Sequence, residues 1–580
     1  MQVFSYAPFG ASGIVIRVEV DIRRGIPGID ITGLAEGAVR EARERVRAGF
    51  RNSGYQFPLD RVLINLAPAG LRKDGAALDL PIALAVMSSA GLVPQTEALM
   101  VLGELELSGN VRPVRGVLAA VAAGLGEGIR DFIVPRENAG EAMILVKEHT
   151  TARVAAAATL REAVHALVVR SETGILPVSG FSFDAPGGEG GADTGGEAGI
   201  PALGDFSEVR GQDRYKRALE IVAAGGHNLL VFGPPGAGKT MLARRLPTIM
   251  APLTGEEAVE VTRLYSLAGL FDGKSQGSEN FGLITRPPFR SPHHSASTEG
   301  IMGGGRTVRP GEISLAHLGV LFLDEAPEFR THVLQALREP LEDQVITISR
   351  AESSVRLPAA FQLIMAANPC PCGRLGVRET DFPPEEEPSR RPENSRDPAL
   401  VEVWDRARAA AGSVSCFCSP EEVNRYWRRF GSALLDRIEL RVPVVSPRLE
   451  EMTGTPGESS ALIARRVARA VEIQRERLSG LFSGGKAGES GDPLEQYRRN
   501  ARLPAGLVES CCPLSGRGKL ALKSAIAKLA LSGRAYHGIL RLARTIADLE
   551  GRDTLDTVHV LEAVEHRRRG DDPYDILAEA

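Results

Sequence analysis

Residues 228–240 read NLLVFGPPGAGKT: an apolar run, a glycine-rich turn, then a lysine and a threonine. From Gly233 to Thr240 the spacing is G-x4-G-K-T, and the following MLARRL has helical composition. Strand, glycine loop and helix in that order make a phosphate cradle. Glycines let backbone N–H groups turn inward around phosphate oxygens, and the start of the helix adds positive potential. Gly233, Pro234, Pro235, Gly236, Ala237, Gly238, Lys239 and Thr240 are therefore expected to bind a nucleotide. Lys239 would reach the β- and γ-phosphates of ATP, and the Thr240 hydroxyl would ligate Mg²⁺.

Two further strand-like runs follow, GVLFL (319–323) and FQLIMA (361–366). Both are continuously apolar, as parallel strands covered on both faces require. With helical segments between them, they predict a doubly wound parallel α/β sheet. The first ends in Asp324-Glu325, an acidic pair at a strand's carboxyl edge. Asp324 is expected to hold the metal and Glu325 to polarise the attacking water; helix capping is the simpler alternative. Asn368 follows the second, where a neutral side chain can orient the same water.

The chain has 580 residues, long enough for about four folding units. Its formal charge of −4 supplies no global field toward nucleic acid, so any basic surface must be local. The best apolar run, 76–93, is broken by Asp79 and Pro81, which argues against a membrane span. The opening MQVFSYAPFG has no basic segment before an apolar core, so a cytoplasmic location is expected. Residues 171–204 hold ten glycines and five acidic residues without a Lys or Arg, the composition of a flexible linker. Residues 378–398 pack five prolines among eleven charges, a solvated insertion.

Before the linker, residues 1–170 predict a compact α/β domain. Ile14, Ile16, Val18, Val20 and Ile22 alternate as in a half-buried strand. Val39, Ala42, Val46 and Phe50 recur at helical spacing, DRVLINLAP reads as a strand and DLPIALAVMSS as a buried helix. After the linker come the nucleotide-binding core, 205–446, and a helical C-terminal domain, 447–580. Cys370-Pro-Cys372 and Cys416-Phe-Cys418 bracket the insertion 373–415. Four thiolates satisfy tetrahedral Zn²⁺, and a reducing compartment favours a metal over disulfides. Structural zinc is the expectation, buried free thiols the alternative. Cys511 and Cys512 read as packing residues.

The set GPPGAGKT, FRSPHHSAS, RPGEISLAHLGVLFLDEAPEF, AANPCPCG and LLDRIEL resembles the magnesium-chelatase-like branch of AAA+ ATPases. With the N-terminal half included, the chain resembles the YifB/ComM family over nearly its whole length. The resemblance implies a homo-hexameric ring with ATP at subunit interfaces. Arg437, in LLDRIEL, would be the arginine finger reaching a neighbour's γ-phosphate. Arg534, in LSGRAYHGILRLAR, would be the second sensor, with Arg541 the alternative. The resemblance puts His293 and His294 in a pore-facing insertion, with a conformational or substrate-contacting role rather than a metal site. The N-terminal half resembles the proteolytic domain of Lon, but Ala77 stands where that family has its serine and Leu118 where it has its lysine. A Ser-Lys dyad needs both groups, so no peptidase activity is expected, and interaction with protein partners or ring assembly is.

The resemblance offers two functions. The first is a motor on single-stranded or branched DNA, a helicase driving branch migration in natural transformation and recombination. The second is a chelatase-type subunit or regulatory ATPase remodelling a protein partner. The Lon-like half favours the first, as does the lack of a D-x-S-x-S metal-adhesion motif. Arg306 and Arg309, with Arg350 and Arg356 flanking a hairpin in ISRAESSVR, are candidates to grip phosphates.

Overall fold

The computed structural model describes residues 3–11, 13–33, 37–69, 73, 76–95, 97–147, 151–177, 204–271, 282–305, 308–349, 354–375, 416–445, 455–482, 499–529 and 532–568. Most of the linker and of the 373–415 insertion, with Arg306 and Arg350, lies outside these residues.

The N-terminal unit is a seven-stranded mixed sheet. Its strands are β1 (Val3–Ala7), β2 (Ile14–Arg23), β3 (Gly28–Thr32), β4 (Arg61–Ala67), β5 (Leu99–Val101), β6 (Asp131–Pro135) and β7 (Arg153–Ala157), in the order β3-β4-β2-β1-β5-β6-β7. Strand β2 alternates as expected: Ile16 and Val18 are buried while Arg17 and Glu19 are exposed. Helix α1 (Gly37–Asn52) lays Ala42, Val46 and Phe50 into the core. Helix α2 (Asp79–Ser89) is apolar nearly all round and correspondingly buried. Its buried Asp79 accepts from Arg45 Nε on α1 at 2.6 Å, which pins the two helices together. Helices α3 (Val117–Gly126), α4 (Ala139–Val146) and α5 (Leu160–Thr173) complete the unit. The helix α5 runs into the stretch that composition assigns to the linker, and stops at Gly174, whose φ of +69° favours glycine.

The second unit contains the sheet that the phosphate-loop stretch predicted. Strands β8 (Leu229–Phe232), β9 (Phe289–Arg290), β10 (Val320–Leu323), β11 (Gln362–Ala367) and β12 (Leu440–Pro443) run in the order β9-β10-β11-β8-β12, all parallel. Alternate residues feed two cores. Leu229, Val231, Phe322, Ile364 and Val442 meet the C-terminal helices on one face. Leu230, Phe232, Leu323, Leu363 and Met365 meet Val333, Leu337, Trp427 and Phe430 on the other. The predicted hairpin pairs Val345–Ser349 with Ser354–Pro358, Ile346 opposite Leu357.

Helix α6 (Asp213–Gly225) precedes β8, and helix α7 (Lys239–Arg245) follows the loop. Long helices α8 (Ser460–Phe482), α9 (Gly516–Leu529), α10 (Gly533–Leu549) and α11 (Thr557–Arg568) cover the sheet's first face. At their centre Asp548, fully buried, takes Asn500 Nδ2 at 2.7 Å and the guanidinia of Arg477 and Arg544. Cys511 and Cys512 are buried packing residues, as expected.

The two units touch through the helix Gly255–Ala268, whose Leu267 enters the N-terminal core. The Glu141 carboxylate on α4 takes the backbone N–H of Leu118 at 2.9 Å and the hydroxyl of Ser266 from that helix. Burial holds this carboxyl above its ordinary range, against those hydrogen bonds. The Leu118 position, where a protease would carry its lysine, is thus packed beneath the nucleotide-binding unit.

Candidate functional site

The loop after β8 folds as its glycines dictate. Gly236 and Gly238 have φ of +81° and +82°, a region where a side chain would be strained. At Gly233 a Cβ would stand 2.0 Å from the Val444 carbonyl, so the strand-to-loop turn admits no larger residue. Lys239 turns back along the loop, its Nζ donating to the carbonyls of Gly233 at 2.7 Å and Pro234 at 2.8 Å, and to Asn368 Oδ1 at 3.3 Å. Burial brings the Lys239 ammonium down to about 8, with Asp324 and Glu325 pulling the other way. Thr240 Oγ1 donates to Asp324 Oδ2 at 2.8 Å. Lys239, Thr240, Asp324 and Asn368 therefore converge at the carboxyl edge of three adjacent strands, where open α/β sheets bind ligands.

Glu325 follows in a left-handed conformation, φ +48°, unusual for a side-chain-bearing residue. Its backbone N–H caps Asp324 Oδ1 at 3.0 Å, and its carboxylate is more than half exposed. The turn separates the two acids: Asp324 faces the loop threonine, Glu325 the open side. His294 Nδ1 lies 3.7 Å from Glu325 Oε2, and its ring is tilted against that of His293 with centroids 4.1 Å apart. His294 thus stands beside the expected water-polarising carboxylate.

Some supports were not read from the sequence. Tyr215 on α6 donates its buried hydroxyl to the Lys239 carbonyl at 3.0 Å. Gln212 Nε2 donates to the carbonyls of Val445 at 2.7 Å and Ala237 at 3.3 Å. Trp427 Nε1 donates to the Pro369 carbonyl at 3.0 Å, holding the turn behind Asn368. None has a sequence signal, since each reaches the site across a tertiary contact.

Behind that turn, the sulfurs of Cys370, Cys372, Cys416 and Cys418 all lie within 4.8 Å of one another. The pairs Cys370–Cys372, Cys372–Cys416 and Cys370–Cys416 are 3.3, 3.5 and 3.7 Å apart. A tetrahedron of Zn–S bonds near 2.3 Å spaces its sulfurs by about 3.8 Å, so the donor set fits zinc. Burial pushes Cys370 up to about 11. At Cys372 burial is outweighed by backbone N–H groups of Arg374 and Phe417 and by neighbouring thiols, which bring it to about 6. Gly373, inside the cluster, packs so closely on the phosphate loop that a Cβ would lie 2.9 Å from Pro235 Cδ.

Arg437 and Arg534 are brought together, but elsewhere. Arg437 precedes β12, and its carbonyl accepts from Asn228 Nδ2 at 3.0 Å, at the amino end of β8. Five residues of strand, about 16 Å, separate it from the phosphate loop of its own chain. Arg437 Nη2 and Arg534 Nη2 contact one oxygen, Glu342 Oε1, at 2.8 and 2.5 Å. Burial would raise the Glu342 carboxyl, but hydrogen bonds and charge from Arg437 and Arg534 hold it below the ordinary range. Arg541 is mostly buried within the helical region, where burial lowers its guanidinium.

A phosphate loop on a five-stranded parallel sheet, an acidic pair two strands away and a helical cover make a P-loop nucleotide-binding domain. Residues 205–391 match the family "Magnesium chelatase, subunit ChlI", 18–138 match "Subunit ChlI of Mg-chelatase", and 457–567 match the ChlI C-terminal family. The chain is 36% identical over 571 residues to the uncharacterized protein YifB of Salmonella typhimurium, covering 97% of this chain and 96% of that one. It is 36% identical over 573 residues to the competence protein ComM of Haemophilus influenzae, covering 97% of each. Lon protease of Geobacter metallireducens is 27% identical over 141 residues in the N-terminal region, 23% of this chain and 17% of that one. The chain belongs to the YifB/ComM family, within the magnesium-chelatase-like AAA+ ATPases.

Among the described residues, no helix is long and apolar enough to cross a membrane.

Proposed function

We propose that this chain hydrolyses ATP as a homo-hexamer and uses the energy to move or remodel single-stranded or branched DNA. The carrying observation is the division of the expected catalytic groups between opposite sheet edges. Lys239, Thr240, Asp324 and Asn368 meet at one edge, while Arg437 and Arg534 meet at the other, beyond reach of their own loop. Such a chain completes its site only beside a second copy. Lys239 binds the β- and γ-phosphates; Glu325 accepts hydrogen bonding from the attacking water, which Asn368 orients. Arg437 and Arg534 of one subunit neutralise charge at the next subunit's γ-phosphate.

Thr240 and Asp324 would hold Mg²⁺, since a hydroxyl and a carboxylate 2.8 Å apart beside the phosphate loop form the hard oxygen pair it takes. Held by Thr240 and Asp324, the ion would supply positive charge at the phosphates. Cys370, Cys372, Cys416 and Cys418 would hold a structural Zn²⁺ behind Asn368.

For DNA, the support is the relative's printed role in competence, with the exposed Arg356 on the hairpin strand Ser354–Pro358 and the exposed Arg309 on the strand Arg309–Pro310. The N-terminal unit acts as a scaffold without peptidase activity: Ala77 supplies no nucleophile and Leu118 no base. The test is the ATPase rate of the purified chain with and without single-stranded and forked DNA. Stimulation supports the motor. Indifference to every DNA rejects it in favour of a protein partner.

A further inference from the structure

Arg437 and Arg534, both assigned above to a neighbour's phosphate, share one carboxylate oxygen in this chain. Arg437 leaves the β12 approach, Arg534 opens helix α10, and Glu342 ends the short helix Arg338–Asp343. Three separate elements thus bring two positive charges onto Glu342 Oε1. Arg437 also donates through Nη1 to the Ala433 carbonyl at 2.5 Å, while its buried Nε has no hydrogen-bond partner among the described residues. Arg534 has a weaker second contact, Nη1 to Asp436 Oδ2 at 3.4 Å, and Asp436 Oδ1 is taken by Arg567 at 3.0 Å. Glu342 and Arg534 are nearly half exposed, 42% and 48%. A pair of that exposure is weakly held, so Arg534 exchanges its partner readily, while Arg437, 16% exposed, is the firmer partner of the same oxygen.

We propose that Glu342 is a stand-in anion. It holds Arg437 and Arg534 side by side at the subunit edge until the γ-phosphate of the neighbour's ATP displaces it. The proposal rests on the assignment of those arginines to the neighbour's nucleotide. A carboxylate oxygen and a phosphate oxygen present the same acceptor to a guanidinium, and the phosphate brings more charge. With Glu342 neutral both guanidinia are free for a phosphate oxygen, so Glu342 competes with the substrate for them.

The competition sets the test. In the full chain carrying Glu325→Gln, so that nucleotide is bound without turnover, a fluorescent ATP analogue is titrated with Mg²⁺ and ring formation is followed by light scattering. Adding Glu342→Gln should tighten binding by about two- to five-fold, the loss of one weak competing pair. Glu342→Asp keeps the charge and should stay near the starting affinity. With Arg437→Ala and Arg534→Ala also present, Glu342→Gln should change nothing. Unchanged or weaker binding by the Glu342→Gln ring overturns the proposal, as does an equal gain without the two arginines. Loss of rings in Glu342→Gln but not Glu342→Asp also overturns it, making Glu342 an assembly residue. A separate arm isolates the underlying assignment: if Arg437→Ala alone, with Glu325 intact, hydrolyses ATP at the parental rate, the finger reading fails and takes the proposal with it. If Arg437→Ala is inactive and the affinity shift is absent, only the stand-in role is lost.

Discussion

Lys239 shows how one residue's surroundings set a measurable property. Burial against the loop carbonyls brings its ammonium to about 8, and phosphate binding needs the charged form. The charge is complete well below that value and is lost as pH rises through it. The KM for ATP should therefore stay flat through neutral pH and climb above about pH 8, at most tenfold per unit. A KM independent of pH up to 9.5 or so would show that the free loop keeps its lysine charged. The pair Lys239→Ala and Glu325→Gln separates binding from chemistry. Both should abolish turnover, but Glu325→Gln should retain ATP because its carboxylate contacts the water rather than the phosphates. Parental hydrolysis by Glu325→Gln would remove that carboxylate from the mechanism. These residues were legible because the phosphate loop and the acidic pair are local patterns tied to strand ends. Gln212, Tyr215 and Glu342 were not, since their partners lie 24 or more residues away and their types are ordinary on helices. His294 was visible as a motif residue, but its position beside Glu325 depends on β9 pairing with β10.

Among the elements, the legible ones are those with a strong period. Strand β2 alternates, α1 repeats at helical spacing, and β8, β10 and β11 are continuous apolar runs closed on both faces. The strands β9 and β12 escaped sequence reading for a physical reason. They are two and four residues long, and Arg290 and Arg441 interrupt their apolar character. Arg290 is satisfied there by Glu312, at 2.7 and 2.8 Å, so a charge sits in a strand because a carboxylate meets it. Within the C-terminal domain read as helical, α9 and α10 are separate helices, the second begun by Ser532 capping the Ala535 N–H at 3.2 Å. The clustering of the cysteine pairs was legible, while their contact with the phosphate loop through Gly373 was not. Protein purified without added metal should carry one zinc per chain, and Cys372→Ser or Cys416→Ser should lose it, read by elemental analysis. Absence of zinc, with all six thiols titrating in the native protein, would return these cysteines to ordinary packing.

At the scale of the whole molecule, the proposed ATPase works through sites completed between subunits. An arginine finger contributes about 10³-fold or more to rate, so Arg437→Ala should be nearly inactive while each chain still binds ATP. Mixing Arg437→Ala with Lys239→Ala, each dead alone, should restore part of the activity once subunits exchange. In mixed rings an intact phosphate loop then faces an intact arginine. No recovery after confirmed exchange would place Arg437 outside the neighbour's site or require every site to be competent at once. The N-terminal unit packs on the nucleotide-binding unit: Glu141 and Leu267 join it to the helix Gly255–Ala268 across a buried contact. That arrangement lay beyond sequence reading, because the linker's composition predicts two independent halves. For the proposed action on DNA, the deciding measurement is branch migration of a labelled four-way DNA junction, with ATP, by the parental protein and by Glu325→Gln. ATP-dependent branch migration by the parental chain, absent with Glu325→Gln, is the predicted result. No movement of any branched or forked DNA by a chain that hydrolyses ATP would contradict it.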